Sequence, residues 1–156
     1  MLDVVTKALA VAKLSPIPQP VLGDWFTLQL VYNPGAAFGI HVGAYSRWVF
    51  IVLALTALVV LGLIVKQTAP ADRGRLVALG LVCGGALGNL FDRLRHARGV
   101  VDFLDVGIGM HRWPTFNVAD MAVTLGAVTL GVILWSEGRE FAGRPSSSPD
   151  TARAST

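Results

Sequence analysis

One uninterrupted apolar run decides what this chain can fold into. Residues 48–65, WVFIVLALTALVVLGLIV, carry no charge and lie between Arg47 and Lys66, with Tyr45 and Trp48 at the amino-terminal end. A helix needs about 20 apolar residues to cross the hydrocarbon core of a bilayer, and aromatic residues favour the boundary of that core. We therefore predict a transmembrane helix over residues 48–65.

The composition extends this conclusion to the whole chain. Hydrophobic residues make up 53% of its 156 residues and charged residues 15%, whereas soluble domains contain about 25% charged residues. Two further segments, residues 76–94 and 118–135, are long and apolar enough to span a membrane. The net charge of +3 is spread between the apolar runs and includes no aromatic–basic array. This pattern suits anionic headgroups, and we expect no nucleic-acid partner.

The segment 76–94 differs from the other spans because it contains small and polar residues. A four-residue spacing relates three of its glycines, Gly80, Gly84 and Gly88. Such spacing favours close packing of a neighbouring helix or of an acyl chain. Asn89 and Arg93 are also four residues apart and share one side of the helix. At the end of a span these two side chains require buried partners or an interfacial anion.

The amino-terminal part combines a short helix with sequence typical of strands. Residues 1–15 are largely apolar but too short to span a bilayer, and a proline-rich segment ends them. Asp3 and Lys7 are four residues apart and can form a helical ion pair. Within residues 22–42, β-branched and aromatic residues precede a turn at residues 33–35. This pattern predicts a small sheet outside the bilayer, with an ordinary loop as the alternative.

Carboxylates lie in apolar surroundings just before the third span. Asp102 and Asp105 occupy an apolar segment and Asp120 opens the span, where ionising an acid is costly. Asn117 can cap the helix that contains Asp120, so one interpretation is a helix cap with a dipole partner. The other is a pair of aspartates that share a proton and activate water, one from each side of the loop 107–114. The residues alone leave both interpretations open.

Metal-ligand and thiol residues are scarce. His96 and His111 lie near aspartates but lack the close spacing of a zinc motif, so we expect no metal and no other cofactor. Cys83 is the single cysteine and lies in an apolar run, which excludes an intrachain disulfide.

Five separated motifs occur along the chain. They are D-x-x-T-K at residues 3–7, Y-N-x-G-A-A-F-G at 32–39, G-x-x-G-N-x-x-D-R at 85–93, V-V-D-F at 100–103 and F-N-V-A-D at 116–120. In sequence and in order they resemble the bacterial lipoprotein signal peptidases, the signal peptidase II family. The resemblance extends from Asp3 to the last span.

This resemblance implies an all-α polytopic membrane protein, a helical bundle of four spans with a small extracytoplasmic β-sheet. It implies an aspartic endopeptidase of the inner membrane that cleaves prolipoproteins before the diacylglyceryl-modified cysteine, with Asp102 and Asp120 as the catalytic pair. Residues that bind substrate or support the pair would be Asn33, Gly35, Asn89, Arg93 and Asn117, and Asp3 and Lys7 would be structural or supporting. The partners would be diacylglyceryl prolipoproteins and membrane lipids, without cofactor, metal or obligate protein partner.

We expect a single membrane peptidase domain over residues 1–140, followed by a disordered tail over residues 141–156 that is rich in Ser, Pro, Arg and Ala. The family's first span begins well upstream of the motif that contains Asp3, so we expect the first helix, residues 1–15, to be truncated. Basic residues favour, by a narrow margin, a cytoplasmic position for the tail and for the loop at residues 66–75, which follows the span at residues 48–65. The site would then lie near the extracytoplasmic face.

Two other classes of function account for part of the pattern. A small proton- or ion-conducting membrane protein could use Asp102, Asp120 and Arg93 as a relay. That class is disfavoured because residues 48–65 and 121–135 carry no acid. A non-catalytic membrane scaffold could use the glycine face for packing, but it leaves the asparagines and aspartates without a role.

Overall fold

The described residues form four α-helices and four strands. The structure, a computed structural model, describes residues 1–35 and 43–142, with side chains as far as Arg139. The helices are α1 (Leu2–Lys13), α2 (Ser46–Gln67), α3 (Arg73–Arg95) and α4 (Val118–Ala142). The strands are β1 (Gln19–Leu22), β2 (Phe26–Asn33), β3 (Val100–Ile108) and β4 (His111–Arg112).

Within the described part of the chain, three helices are long and apolar enough to cross a membrane. They are α2 with the 3₁₀ turn that precedes it (Gly43–Gln67), α3, and α4 over Val118–Arg139. Each predicted span lies inside one of these helices. Large apolar side chains on their outer surfaces are exposed, which is the surface that lipid covers in a membrane protein.

The last helix extends beyond the predicted end of its span. It continues through Ala142, so residues 141 and 142 are helical and the predicted tail begins at least two residues too early. Polar side chains support this extension, since Arg139 lies over the ring of Trp135 and Glu137 accepts a hydrogen bond from Arg75. Residues 143–156 lie outside the described part of the chain.

Small residues allow α3 and α4 to pack closely. A Cβ atom added to Gly85 would lie 2.6 Å from Cγ2 of Val123, and one added to Gly126 would lie 2.7 Å from Cγ2 of Val82. Neither position therefore has room for a side chain. The close approach of the two backbones brings the carboxyl-terminal end of α3 against the first turn of α4.

The glycine face predicted from the sequence is only partly correct. A Cβ atom on Gly88 would lie 3.3 Å from Cβ of Ala119, so this glycine does pack against α4. Cβ atoms on Gly80 and Gly84 would meet no atom of the described residues within 4 Å. The contact with α4 therefore runs through Gly85 and Gly88, and the acyl-chain alternative for Gly80 and Gly84 stays a prediction.

The buried environment of Gly85 and the open environment of Gly84 predict opposite effects of adding a methyl group. We expect Gly85→Ala to destabilise the bundle by about 1–3 kcal/mol because the methyl group overpacks the interface with α4. Gly84→Ala is the matched control, and there the loss of backbone freedom should stabilise the helix by roughly 0.5–1 kcal/mol. Thermal unfolding in detergent, followed by tryptophan fluorescence, measures both. Equal melting temperatures for the two variants would contradict the packing described here.

The sheet is antiparallel throughout, in the strand order β1-β2-β3-β4. Its first half confirms the sheet predicted within residues 22–42, of which residues 36–42 lie outside the described part of the chain. Its second half, β3 and β4, was not predicted. The first four residues of β3 are all buried, so the strand lacks the polar–apolar alternation that would have identified it.

The backbone around β3 determines where the polar residues before α4 lie. Gly99 immediately precedes the strand with φ +105°, and a Cβ atom there would lie 2.8 Å from Cα of Pro34, so only glycine fits. At the other side, the N–H groups of Phe103 and Leu104 both donate to the carbonyl of Phe116, at 3.0 and 2.8 Å. This bulge-like pairing holds the start of α4 beside β3.

Candidate active site

Asp102 and Asp120 line one cavity. It has a volume of about 630 Å³ and lies between the sheet and α4. Asp102 enters it from β3 and Asp120 from the first turn of α4. Its other walls include Asn33 at the end of β2 and the aromatic residues Trp113 and Phe116.

Asn117 joins the two carboxylates. Its Oδ1 accepts a hydrogen bond from the backbone N–H of Asp120 at 2.9 Å, and its own N–H donates to Oδ2 of Asp120 at 3.1 Å. This reciprocal pair is a capping box, so the predicted helix cap is confirmed. The same side chain donates through Nδ2 to Oδ1 of Asp102 at 2.7 Å. The cap therefore also orients the second aspartate.

Asn89 holds Asp120 from the α3 side. Its Nδ2 donates to Oδ1 of Asp120 at 2.7 Å. Its Oδ1 accepts from Nζ of Lys7 at 2.9 Å and from Nδ2 of Asn117 at 3.1 Å. Because two donors face the amide oxygen, the amide nitrogen is the group that points at Asp120.

A buried ion cluster lies behind Asn89. Lys7 is 3% exposed, and its ammonium group forms ion pairs with Asp3 and Asp92, each at 2.9 Å. The predicted pair between Asp3 and Lys7 is confirmed. Asp3 also accepts a hydrogen bond from the backbone N–H of Ala119 at 2.9 Å, so it holds the first turn of α4.

Sequence reasoning missed Asp92 as a member of this cluster. The residue lies in the motif at residues 85–93, but nothing local indicates that its carboxylate meets Lys7. Asp92 also accepts a hydrogen bond from the backbone N–H of Val101 at 3.1 Å. It therefore ties the end of α3 to both α1 and β3.

The turn after β2 is attached to Asp102 and to α3. Asn33 donates through Nδ2 to Oδ2 of Asp102 at 3.2 Å and accepts from the N–H of Gly35 at 2.9 Å. Arg93 donates to the carbonyls of Gly35 at 2.8 Å and of Asn89 at 3.2 Å. These contacts make Arg93 a support for the turn.

All nine candidate residues thus belong to one connected network of hydrogen bonds and ion pairs. The network runs in the order Asp3, Lys7, Asn89, Asp120, Asn117, Asp102, Asn33, Gly35 and Arg93. Each segment of the chain contributes at most two of these residues. The contacts between the segments therefore depend on the tertiary fold.

Asp105 belongs to a separate cluster. It is 2% exposed and accepts hydrogen bonds from Oγ1 of Thr27 at 2.8 Å and from Nε of Arg112 at 2.9 Å. Arg112 also donates to the carbonyl of Asp24 at 2.9 Å. This cluster ties β2, β3 and β4 together, so Asp105 stabilises the sheet.

The environment of Asp102 favours the neutral acid. Burial raises the pKa of Asp102 to about 7, and the negative charge of Asp120 acts in the same direction. Hydrogen bonds from Asn117 and Asn33 act in the opposite direction. Asp120 accepts hydrogen bonds from Nδ2 of Asn89 and from the backbone N–H of Asn117.

The arrangement can supply one acid and one base at a shared cavity. Such a pair of unlike carboxylates is able to activate water against a carbonyl group. Within residues 1–35 and 43–142, no group of three or more His, Cys, Asp or Glu side chains is arranged to hold a metal ion.

Known proteins are similar to this chain in sequence. Residues 1–136 match the Peptidase_A8 family, described as Signal peptidase (SPase) II. The lipoprotein signal peptidase of Burkholderia mallei (strain SAVP1) is 39% identical over 132 residues, which cover 83% of this chain and 78% of that protein. The lipoprotein signal peptidase of Maridesulfovibrio salexigens is 40% identical over 134 residues, which cover 83% of this chain and 85% of that protein.

Solved structures share the fold. A bacterial membrane enzyme determined by the in meso method at 2.3 Å resolution matches with a TM-score of 0.80 and 29% identity, over 92% of this chain and 87% of that one. A second such enzyme, determined at 1.9 Å resolution, matches with a TM-score of 0.74 and 30% identity, over 85% and 84% of the two chains. Since the family match covers most of the chain and the sheet and spans agree with it, this chain belongs to the signal peptidase II family of aspartic peptidases.

Proposed function

We propose that this chain removes signal peptides from prolipoproteins, with Asp102 and Asp120 as its catalytic pair. One observation carries the proposal: both carboxylates line the same cavity and are joined by Asn117. The relatives named lipoprotein signal peptidase support the choice of substrate.

The two carboxylates divide the work of an acid and a base. Asp120 takes a proton from a water molecule while the water oxygen bonds to the scissile carbonyl carbon, and Asp102 gives its proton to the carbonyl oxygen. In the second step the C–N bond breaks as the proton on Asp120 passes to the leaving nitrogen. One hydroxyl proton of the intermediate then returns to Asp102, which restores the starting state.

The other network residues hold this pair in position. Asn117 and Asn89 orient the carboxylates, and the cluster of Asp3 and Lys7 fixes Asn89 from behind. Asn33 connects Asp102 to its turn, which Gly35 and Arg93 hold against α3. Side-chain amides near the scissile bond can also pair with backbone groups of an extended substrate where water is scarce.

The walls of the cavity suit a lipid-modified substrate. The cavity continues into a groove of about 450 Å³ along α4, lined by Met121, Leu125 and Val128. Trp113 and Phe116 line both spaces. Acyl chains in this apolar groove would leave the attached residue next to the aspartates. We therefore assign cleavage to the bond before the diacylglyceryl-modified cysteine.

We also place the chain in the bacterial inner membrane, with the catalytic cavity near the extracytoplasmic face, as its similarity to the lipoprotein signal peptidases implies. The site lies at the end of α3 and the beginning of α4. Lys66, Arg73 and Arg75 lie near the opposite ends of these helices, but Arg47 and Arg95 lie at the catalytic end. The basic residues therefore do not choose the orientation by themselves.

The ion-conduction alternative receives no support from this arrangement. A conducting path needs polar groups across the bilayer, whereas the polar network is confined to one end of the spans. The scaffold alternative does not explain why one cavity contains two aspartates that are joined by an asparagine.

Processing of a lipidated prolipoprotein by the purified chain in lipid nanodiscs tests the function. We expect the lipidated precursor to shift to the mature size on a gel, and the same precursor without its diacylglyceryl group to remain uncut. Cleavage of neither precursor, or equal cleavage of both, would contradict the proposal. Proton flux in liposomes without any cleavage would favour the relay instead.

The protonation of Asp102 predicts a pH dependence. Because the acid form is required and its pKa is about 7, kcat/KM should fall as the pH rises above about 7. Asn33→Ala removes a donor that favours the ionised form, so the alkaline limb should move to higher pH. Gln29→Ala, on the same strand, is the control because Gln29 donates to Thr115. A limb at the same pH in all three proteins would contradict this assignment.

The same pKa has a consequence for stability. The pKa of Asp102 is higher in the folded protein than the ordinary value of 3.8, so the folded state binds the proton more tightly. This contribution to the free energy of unfolding is fully present below about pH 4. It is lost as the pH rises through about 7.

A further inference from the structure

A second cavity, of about 230 Å³, lies between α1 and α3 and shares no lining residue with the catalytic cavity. Its walls are the apolar side chains of Val4, Ala8, Val11 and Phe91. Three of these side chains are 41–43% exposed on a surface that lipid covers. The groove is therefore open to the bilayer along an apolar wall.

The floor of this groove is the buried ion cluster. Lys7 and Asp92 both line it. Asp92 accepts hydrogen bonds from the ammonium group of Lys7 and from the N–H of Val101. Lys7 also pairs with Asp3, so this cluster of one cation and two carboxylates has a formal charge of −1. Lys7 and Asp92 are buried, so an anion in the groove would meet the cations at its rim.

The rim of the groove is cationic. Arg95 and His96 line it. Arg98 lies beyond the lining residues, with its guanidinium carbon 3.7 Å from the centroid of the Tyr32 ring, and that ring contacts His96 at a centroid distance of 6.4 Å. Neither Arg95 nor Arg98 forms an ion pair with an acid among the described residues. Two carbonyls at the end of α3, those of Arg93 and Leu94, accept hydrogen bonds from Arg47 and not from Arg95 or Arg98. Among the described residues, no carbonyl or carboxylate accepts a hydrogen bond from either guanidinium group.

We propose that this groove binds an anionic phospholipid, with part of one acyl chain against α1 and α3 and the phosphate at Arg95 and Arg98. The volume is below the range of about 300–1,000 Å³ typical of small-molecule sites, so it holds a chain segment and leaves the rest of the lipid in the bilayer. Basic pockets between membrane helices bind anionic headgroups in this way. The bound chain covers Lys7 and Asp92 and keeps water from the cluster that braces Asn89.

Native mass spectrometry of the full chain, released from detergent with added lipid, tests this site. Phosphatidylglycerol and phosphatidylcholine with identical acyl chains are the probes. We expect the chain to retain phosphatidylglycerol preferentially. A cation near the headgroup contributes roughly fivefold in affinity, so Arg95→Gln with Arg98→Gln should weaken retention roughly 25-fold.

Two further variants separate the groove from general surface charge. Ala8→Phe keeps every charge but fills the apolar wall, and it should also abolish the preference for phosphatidylglycerol. Arg73→Gln, at the opposite end of α3, is the matched control and should retain the lipid as the parent does.

Three outcomes would overturn the proposal. In the first, the parent chain shows no preference between the two lipids. In the second, the arginine double variant loses the preference but Ala8→Phe keeps it. In the third, Arg73→Gln loses the preference as fully as the double variant does. Melting temperatures in phosphatidylcholine alone should be the same for all variants, since each altered side chain is exposed. Lipid retention does not depend on peptide cleavage, so this test stands apart from the test of the peptidase function.

Discussion

Asp102→Asn and Asp120→Asn should each abolish prolipoprotein cleavage, with a loss in kcat of roughly 10³-fold or more. A positioned acid or base typically contributes about 10²–10⁴-fold, and here each variant removes one member of a pair whose roles cannot be exchanged. An asparagine at 102 has no acidic proton to give to the carbonyl oxygen. An asparagine at 120 cannot accept the proton of water. Both variants keep the size of the side chain, so the fold should persist.

Asp105→Asn provides the control for this prediction. Asp105 is as buried as Asp102 and lies on the same strand, but it contacts Thr27 and Arg112. Loss of its charge-assisted hydrogen bonds should lower the free energy of unfolding by about 1.5–3 kcal/mol, while the folded fraction keeps most of its activity. The measurement is the cleavage rate for each folded variant. If Asp105 proved essential and Asp102 dispensable, the assignment of the pair would be wrong.

Lys7→Met should be the most destabilising single substitution in the network. The ammonium group makes three contacts of 2.9 Å, to Asp3, Asp92 and Asn89. Its removal leaves two carboxylates buried without their cation, a change that costs about 3–5 kcal/mol. At roughly 2–4 °C for each kcal/mol in a protein of this size, the melting temperature should fall by about 10 °C.

The same substitution should also lower activity in the molecules that remain folded. Without Lys7, one of the two donors that fix the amide oxygen of Asn89 is lost, so the amide can rotate and present oxygen to Asp120. Lys7→Met combined with Asp92→Asn should recover part of the stability because one unpaired charge is removed. Lys13→Met, an exposed lysine on the same helix, is the control. A parental melting temperature for Lys7→Met would show that the buried cluster contributes no stability.

Much of this fold could be predicted because the relevant information is local. The spans follow from long uncharged runs, and Asn117 capping α4 follows from a polar residue placed three positions before Asp120. The end of α1 follows from prolines that cannot continue a helix. In each case the residues that determine the structure are neighbours in the chain.

Other features depend on residues that are distant in the chain. β3 is buried, so its sequence carries no alternating pattern, and only its pairing with β2 reveals it as a strand. Gly85, and not Gly84, packs against α4 because the rotation of α3 about its own axis depends on its neighbours. No local sequence pattern indicates how far α3 is rotated about its axis.

The same distinction between local and distant determinants applies to the active site. The sequence alone determined which residue types are present, that the chain spans a membrane, and that its acids lie at the boundary of apolar runs. Only the tertiary structure decided that Lys7 meets Asp92, that Asp105 pairs with Arg112, and that Asn117 connects Asp102 with Asp120. The physical reason is that an isolated carboxylate has the same local sequence whether it meets a cation, an amide or a cavity. Its partner is fixed by strand register and helix packing, which bring distant segments together.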